Sequence, residues 1–376
     1  MEALRAGRVF DGVTSLGPAT VVFESGRITA VEQREVPGAV DLGDDVTLLP
    51  GLVDTHVHLC FPGIPDVLAQ MAVDDEALRL RIRESAQQQL AAGVTTVRDL
   101  GDRGFLTAEV PTALTVLASG PPLTTPKGHC WFLGGEVDGL DAMLEAVNER
   151  AERGCSVVKV MVSGGNITPG NSPFHPQIRM PELREIVLEA HRLGLQTAAH
   201  VHAPVSVVDA LDAGVDSLEH ASFMTEEGVG ADPEVLQRIV DSQVVVSATF
   251  GLRPGAVPPP AIATRMEQME RNMLWLASAG ARLVIGTDAG IAPGKAHGVL
   301  PFAFRNLRAG LSAVDLLRIM TSVAADAIGL AGRKGVIRPG ADADLLAVRG
   351  DPLADADALH DIVEVWAGGQ TVKSSS

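Results

Sequence analysis

From about residue 51 to about residue 330 the chain alternates short β-branched runs with amphipathic stretches of helical period, and this alternation constrains the fold more than any other feature. Such a pattern implies parallel strands joined by crossover helices, an α/β class. Eight strand candidates can be read: LVDTHVHL, VTTVRDLG, ALTVLASG, VVKVMVSGG, QTAAHV, DSLEHA, VVVSATF and RLVIGTDAG. Several are near-continuous apolar runs, as expected of strands covered on both faces. Helices are predicted over 76–91, 140–153, 181–193, 262–278 and 314–328, with Gly93, Gly154, Gly194 and Gly280 at helix stops.

Eight strand-helix units make a (β/α)8 TIM barrel, which needs about 250 residues. The chain has 376, and the surplus lies at its two ends. Residues 1–50 and 335–376 carry short alternating runs, with Ser25-Gly26 and Gly368-Gly369 as hairpin turns. Strands from either end alone would leave uncovered edges, so both ends are expected to pair into one discontinuous β-sandwich beside a barrel spanning 51–334.

Composition narrows the partners. With 47 acidic against 30 basic residues the formal charge is −17, which repels phosphate backbones and anionic lipid at long range. No nucleic acid and no membrane is expected as partner, which leaves a small-molecule substrate, with homo-oligomers left open. The start MEALRAGRVFDG lacks the basic and apolar regions of an export signal, and no stretch reaches about 18 unbroken apolar residues. Cys60, Cys130 and Cys155 are an odd, widely spaced set that reads as reduced thiols, so a cytoplasmic location is expected.

The chemistry sits at strand ends. His56, His58, His200 and His220 fall at or beside the C-terminal ends of predicted strands, the edge where TIM barrels build active sites. In His56-Val57-His58 the two imidazoles share one strand face, so both can reach one metal ion. A hydrogen-bonded core pair is the plainer alternative. Lys159 lies mid-strand among valines, where an ammonium is costly unless paired or chemically changed. Desolvation favours the neutral amine, which reacts with carbon dioxide to give an anionic carbamate with two ligand oxygens; a lysine snorkelling to a carboxylate is the alternative. Asp288, between Gly286 and Gly290, can bind metal through one oxygen and take a water proton through the other, or simply cap a turn. Together the residues specify far more than any one of them.

The order His-X-His, Lys, His, His, Asp on strands one, four, five, six and eight resembles the amidohydrolase superfamily. The framing segments match too: LPGLVDTHVHL, GVTTVRDLG, VVKVMVSGG, SLEHA, IGTDAG and GVIRPGADADLLAVRGDP. The likeness covers nearly the whole chain and is strongest to imidazolonepropionase-related amidohydrolases and metal-dependent, prolidase-like Xaa-Pro dipeptidases. It implies two divalent ions, zinc by the N/O donor set, with His56 and His58 on the more buried ion, His200 and His220 on the more exposed one, carboxylated Lys159 as bridge, and Asp288 as ligand and general base. A hydroxide between the ions would attack the carbonyl of a small amide, an N-acyl amino acid or dipeptide with an apolar residue.

His129, in PKGHCWF, is implied to hydrogen-bond the substrate carbonyl or its polar end, and His202 to touch substrate. Trp131, Phe132, Phe174 and Phe250 are expected around the pocket. Several dipeptidase relatives carry tyrosine at the His202 position, whereas this chain has no tyrosine, which leaves the substrate open. His297 reads as a surface-loop residue, and His175, His191 and His360 as structural or solvated. Three rivals remain: a lactonase or phosphotriesterase using the same centre, a one-metal ring deaminase, against which Lys159 argues, and a non-catalytic scaffold, against which the intact ligand set argues.

Overall fold

The computed structural model describes residues 1–372. All eight predicted strands form, as Leu52–Val57, Val94–Asp99, Thr115–Ala118, Val157–Met161, Gln196–Val201, Ser217–His220, Val245–Ala248 and Arg282–Ile285, hereafter strands one to eight. Outside the half-buried strand three, nearly every residue in them is buried, which is why they read as apolar runs rather than as alternation. Strands one to three form one parallel sheet and strands four to eight another, each in sequence order. Parallel bridges join them at both seams, Val57 to Ala289 and Leu123 to Val160. The His58 N–H donates to the Ala289 carbonyl at 2.9 Å, and the Leu123 N–H to that of Lys159 at 2.8 Å.

Helices Asp75–Ala91, Leu140–Glu152 and Met180–Arg192 match expectation to within a residue, and Asp74 caps the first by accepting from the Ala77 N–H. Two predicted helices are each broken in two. The 262–278 segment forms Pro260–Ala263 and Met266–Ser278, which meet at Arg265, whose guanidinium donates to the Thr225 and Gly228 carbonyls. The 314–328 segment forms Ala313–Ile319 and Ser322–Ala327. There the Met320 carbonyl accepts from the Val53 N–H at the foot of strand one, so it is not free to continue a helix. Periodicity does not see this second break, because Val53 is distant in sequence.

The chain ends meet in one separate sheet of eight strands. Along it lie Gln370–Thr371, Ile362–Ala367, Leu345–Arg349, Val46–Pro50, Glu2–Phe10, Ser15–Glu24 and Arg27–Glu32, with Val40–Asp41 alongside Glu2–Phe10. Its central seam is antiparallel, from Leu345 opposite Pro50 to Arg349 opposite Val46, and it unites the two ends. Both expected turns form, with Ser25, Gly26, Gly368 and Gly369 all at positive φ. Leu4, Val21, Phe23, Leu48, Ile337 and Trp366 belong to a core of its own. Among the described residues no helix is long and apolar enough to cross a membrane.

Candidate metal centre

Side chains from strand ends one, five, six and eight converge on one cavity, as the chain order predicted. His56 Nε2 and His58 Nε2 lie 3.5 and 3.3 Å from Asp288 Oδ1. These three can each offer a ligand atom within 4.8 Å of the others. His200, His202 and His220 form a second such group. Lys159 lies fully buried beside the first group, its Nζ 3.5 Å from His56 Nε2. Burial lowers its pKa to about 8, so a neutral amine is accessible near neutral pH.

The hydrogen bonds around these rings fix which nitrogen faces inward. His56 Nδ1 donates to Glu219 Oε2 at 2.9 Å and His58 Nδ1 to the Gly101 carbonyl at 3.0 Å. Each proton is thereby held on Nδ1, leaving an Nε2 lone pair aimed at the Asp288 oxygen. Lone pairs and a carboxylate facing one another fit a cation between them. Burial holds His56 at about 4, and His200 and His220 well below the ordinary histidine value, so the rings are neutral, as ligation requires. At His58 burial pulls down most, but Asp288, Asp99 and the Gly101 carbonyl together outweigh it and leave it raised. Burial opposes ionisation of Asp288, yet His58 and His56 hold its carboxyl below the usual range.

Sequence reasoning missed the support beneath the cluster. Glu219 is fully buried, bonded through Oε2 to His56 and through Oε1 to Arg98 (2.7 Å) and Ser217 (2.7 Å). Arg98 crosses the interior from strand two, donating also to the Thr55 carbonyl at 2.8 Å. Asp54 accepts from both the N–H (2.8 Å) and the hydroxyl (2.6 Å) of Thr287, and burial raises it to about 7. That grip fixes the residue preceding Asp288, which itself sits at φ 58, outside the comfortable range of a non-glycine residue. His220 likewise sits at φ 69. The available signal was charge: Asp54, Arg98 and Glu219 interrupt otherwise apolar strands.

His129 is brought to the same cavity. The Thr168 hydroxyl accepts from the Cys130 N–H and meets His129 Nδ1, both at 2.9 Å. With the Cys130 N–H on one lone pair, the hydroxyl proton is free to point at Nδ1, the arrangement in which His129 carries its own proton on Nε2. Burial holds this ring at about 3. Gly165 makes room for it, since a Cβ there would lie 2.3 Å from His129 Nε2. His202 stacks on His220 with centroids 4.7 Å apart, and its Nδ1 meets the Ser222 hydroxyl at 2.7 Å.

The model of the amidohydrolase family matches residues 47–372, most of the chain. The chain belongs to the amidohydrolase family. It is 27% identical to ochratoxinase from Aspergillus niger over 374 residues, covering 87% of this chain and 75% of that one. Imidazolonepropionase from Rhodococcus jostii is 24% identical, over 95% and 89%. Among solved structures, a prolidase complexed with N-methylphosphonate-L-proline superposes with a TM-score of 0.85 at 25% identity, covering 99% of each chain. A Xaa-Pro dipeptidase with methionine bound in its active site superposes with a TM-score of 0.87 at 24% identity, covering 98% and 99%, a likeness of fold. These neighbours bear out the resemblance read in the sequence, and family membership makes the chain a hydrolase.

The amidohydrolase cavity, about 200 Å³, corrects two expectations. Of the four aromatics expected around it, only Phe250 lines it. Trp131 is 38% exposed, Phe132 packs on Phe61, and Phe174 lies under Arg265. The apolar wall comes instead from the segment after strand seven: Leu252, Ile262, Met266, Met269 and Met273. Nor is His297 a surface residue: it is buried, with Nε2 donating to the Phe61 carbonyl at 2.9 Å and Nδ1 near Gln89, and it braces the loop after strand one. His191 meets Asp216, His360 stacks on Phe302 and His175 is exposed, so these three stand apart from the site. Cys60, Cys130 and Cys155 are all buried free thiols.

Proposed function

We propose that this amidohydrolase hydrolyses a small amide, an N-acyl amino acid or a dipeptide with an apolar residue, at a centre of two divalent ions, zinc by donor type. The observation that carries the reading is the pair of ligand groups, His56–His58–Asp288 and His200–His202–His220, lining one cavity with buried Lys159. In the first group His56, His58 and Asp288 are the assigned ligands, and in the second His200 and His220, with His202 as a substrate contact. Lys159, as a carbamate formed by attack of its neutral amine on carbon dioxide with loss of one proton, would add an anionic oxygen ligand to this set. The relatives named for ochratoxin, proline dipeptides and imidazolonepropionate support an electrophilic carbonyl on carbon–nitrogen chemistry.

Held by these residues, divalent ions would supply Lewis acidity toward a carbonyl and toward water. The chain's own residues do the rest. Asp288 takes the proton of the attacking water and passes it to the leaving nitrogen. His129 offers its Nε2–H to the carbonyl oxygen as negative charge develops, from a position fixed by Thr168 and Gly165. Glu219 and Arg98 hold the His56 ring in the tautomer that ligation needs.

On this reading the eight strands close into a full (β/α)8 barrel through the two seam bridges, and the sheet of both termini is a second, sandwich-like domain with boundaries near residues 50 and 335. Residues 373–376 of that domain lie outside the described residues. The free cysteines favour a cytoplasmic setting. Screening N-acyl amino acids, dipeptides, lactones and phosphotriesters with metal-replete enzyme tests the assignment. An amide is expected to be the best substrate; a lactone or phosphotriester turned over about a hundredfold more efficiently would replace the reading.

A further inference from the structure

The cavity wall is short of positive charge. Among its described lining residues the only lysines or arginines are Lys159 and Lys295. Lys159 is converted to an anion under the proposed function, which leaves Lys295. It stands in the loop after Asp288, half-buried, and its Nζ donates to the Thr287 carbonyl at 2.6 Å and the Thr249 carbonyl at 2.9 Å. An ammonium has three N–H donors, so one is left over. Both partners are neutral carbonyls: the Asp288 and Asp54 carboxylates act on the ammonium through space, but neither is hydrogen-bonded to it, which leaves its third donor for a ligand. Thr287 immediately precedes Asp288, which places this ammonium beside the reacting centre rather than at the cavity rim.

We propose that Lys295 is the receptor for a carboxylate on the substrate, which specifies an amide carrying a carboxylate close to the scissile bond and a large apolar side chain against Met266, Met269 and Met273. The inference rests on the proposed function for the position of the scissile bond and goes beyond it in assigning the anion's partner. A carboxylate entering an apolar pocket loses hydration and needs a fixed cation to replace it. This chain has no tyrosine to serve as a hydroxyl donor in that role. Methionines are flexible and polarizable, so the facing wall tolerates several apolar shapes while the anion sets the register.

The test uses the zinc-loaded full chain and two ligands differing in one group, N-acetyl-L-methionine and its neutral carboxamide, N-acetyl-L-methioninamide. Binding is measured by titration calorimetry for the native protein, Lys295→Met and Lys295→Arg, and hydrolysis of both ligands is followed separately. The native protein should bind the acid at least tenfold more tightly than the carboxamide. Lys295→Met should weaken the acid by about ten- to a hundredfold, the span expected of a hydrogen bond to a charged group, and leave the carboxamide within about twofold; Lys295→Arg should keep part of the preference. Equal weakening of both ligands by Lys295→Met marks a purely structural staple and overturns the proposal, as does an unchanged affinity for the acid. Should Lys295→Met fail to fold, absence of acid preference in the native protein overturns the proposal, and a reduced but retained preference in Lys295→Arg supports it. Selective binding without hydrolysis of any amide would sink the proposed function but not this assignment, and hydrolysis without charge selectivity the reverse.

Discussion

Glu219→Gln removes one charge from the interior while preserving side-chain volume, so its consequences isolate the electrostatics. The native carboxylate is fully buried, with one oxygen on Arg98 and Ser217 and the other on His56. Burial pushes this carboxyl up, but Arg98 and His56 together outweigh it and hold it well below the usual carboxylate range. A group depressed in the folded state stabilises above its unfolded pKa, about 4.3, and that contribution is lost as pH falls through the folded value. At neutral pH it is fully present. Neutralising Glu219 leaves the Arg98 guanidinium buried with carbonyl and hydroxyl partners alone, and orphaning one member of a buried pair costs about 3–5 kcal/mol. It also lets His56 change tautomer, for which the loss of a partner behind a metal ligand costs about ten- to a hundredfold in metal affinity or activity. Urea unfolding at pH 7, metal titration and turnover should therefore all worsen for Glu219→Gln. Arg98→Met combined with Glu219→Gln should be clearly more stable than the two single effects summed, since neither charge is then stranded. Strict additivity, or a Glu219→Gln protein within about 1 kcal/mol of native stability, would refute the argument that these groups act as one unit.

Zinc-reconstituted protein should contain about two equivalents of metal per chain by elemental analysis, and His56→Ala and His220→Ala should each lower that figure; one equivalent or none in the native chain contradicts the two-ion reading. Asp288→Asn should lose several orders of magnitude in rate while retaining most of its metal, because the remaining ligands persist and the proton acceptor does not. Near-native turnover with metal retained would remove Asp288 from its role. Lys159→Ala should lose metal and activity together, and a short carboxylic acid in solution should restore part of both. Carbon-13 NMR of metal-loaded protein given labelled bicarbonate reads the carbamate directly, and a bare amine in fully active enzyme rules it out.

What was legible in the sequence and what was not divides along a physical line. The eight strands were readable because burial on both faces demands apolar runs, and the ligands because strand ends are where a barrel exposes its interior residues to solvent and substrate. Each of those signals is local: His56-Val57-His58 announces its shared face within three residues. The break at Met320 is not local, since the Val53 N–H takes a carbonyl that a continuing helix would use. The same holds for the site's supports. Arg98 and Glu219 stand on strands two and six and are joined only by the curvature of the fold, and the methionine wall comes from a segment whose helical period says nothing about which cavity it faces. His297 shows the converse, a residue read as exposed from its loop context and buried because the loops after strands one and eight close on each other. Yet a trace of the long-range design was present. A charged residue inside an apolar strand is costly unless another element supplies its partner, so Asp54, Arg98, Lys159 and Glu219 together implied an interior network before any coordinate fixed its geometry.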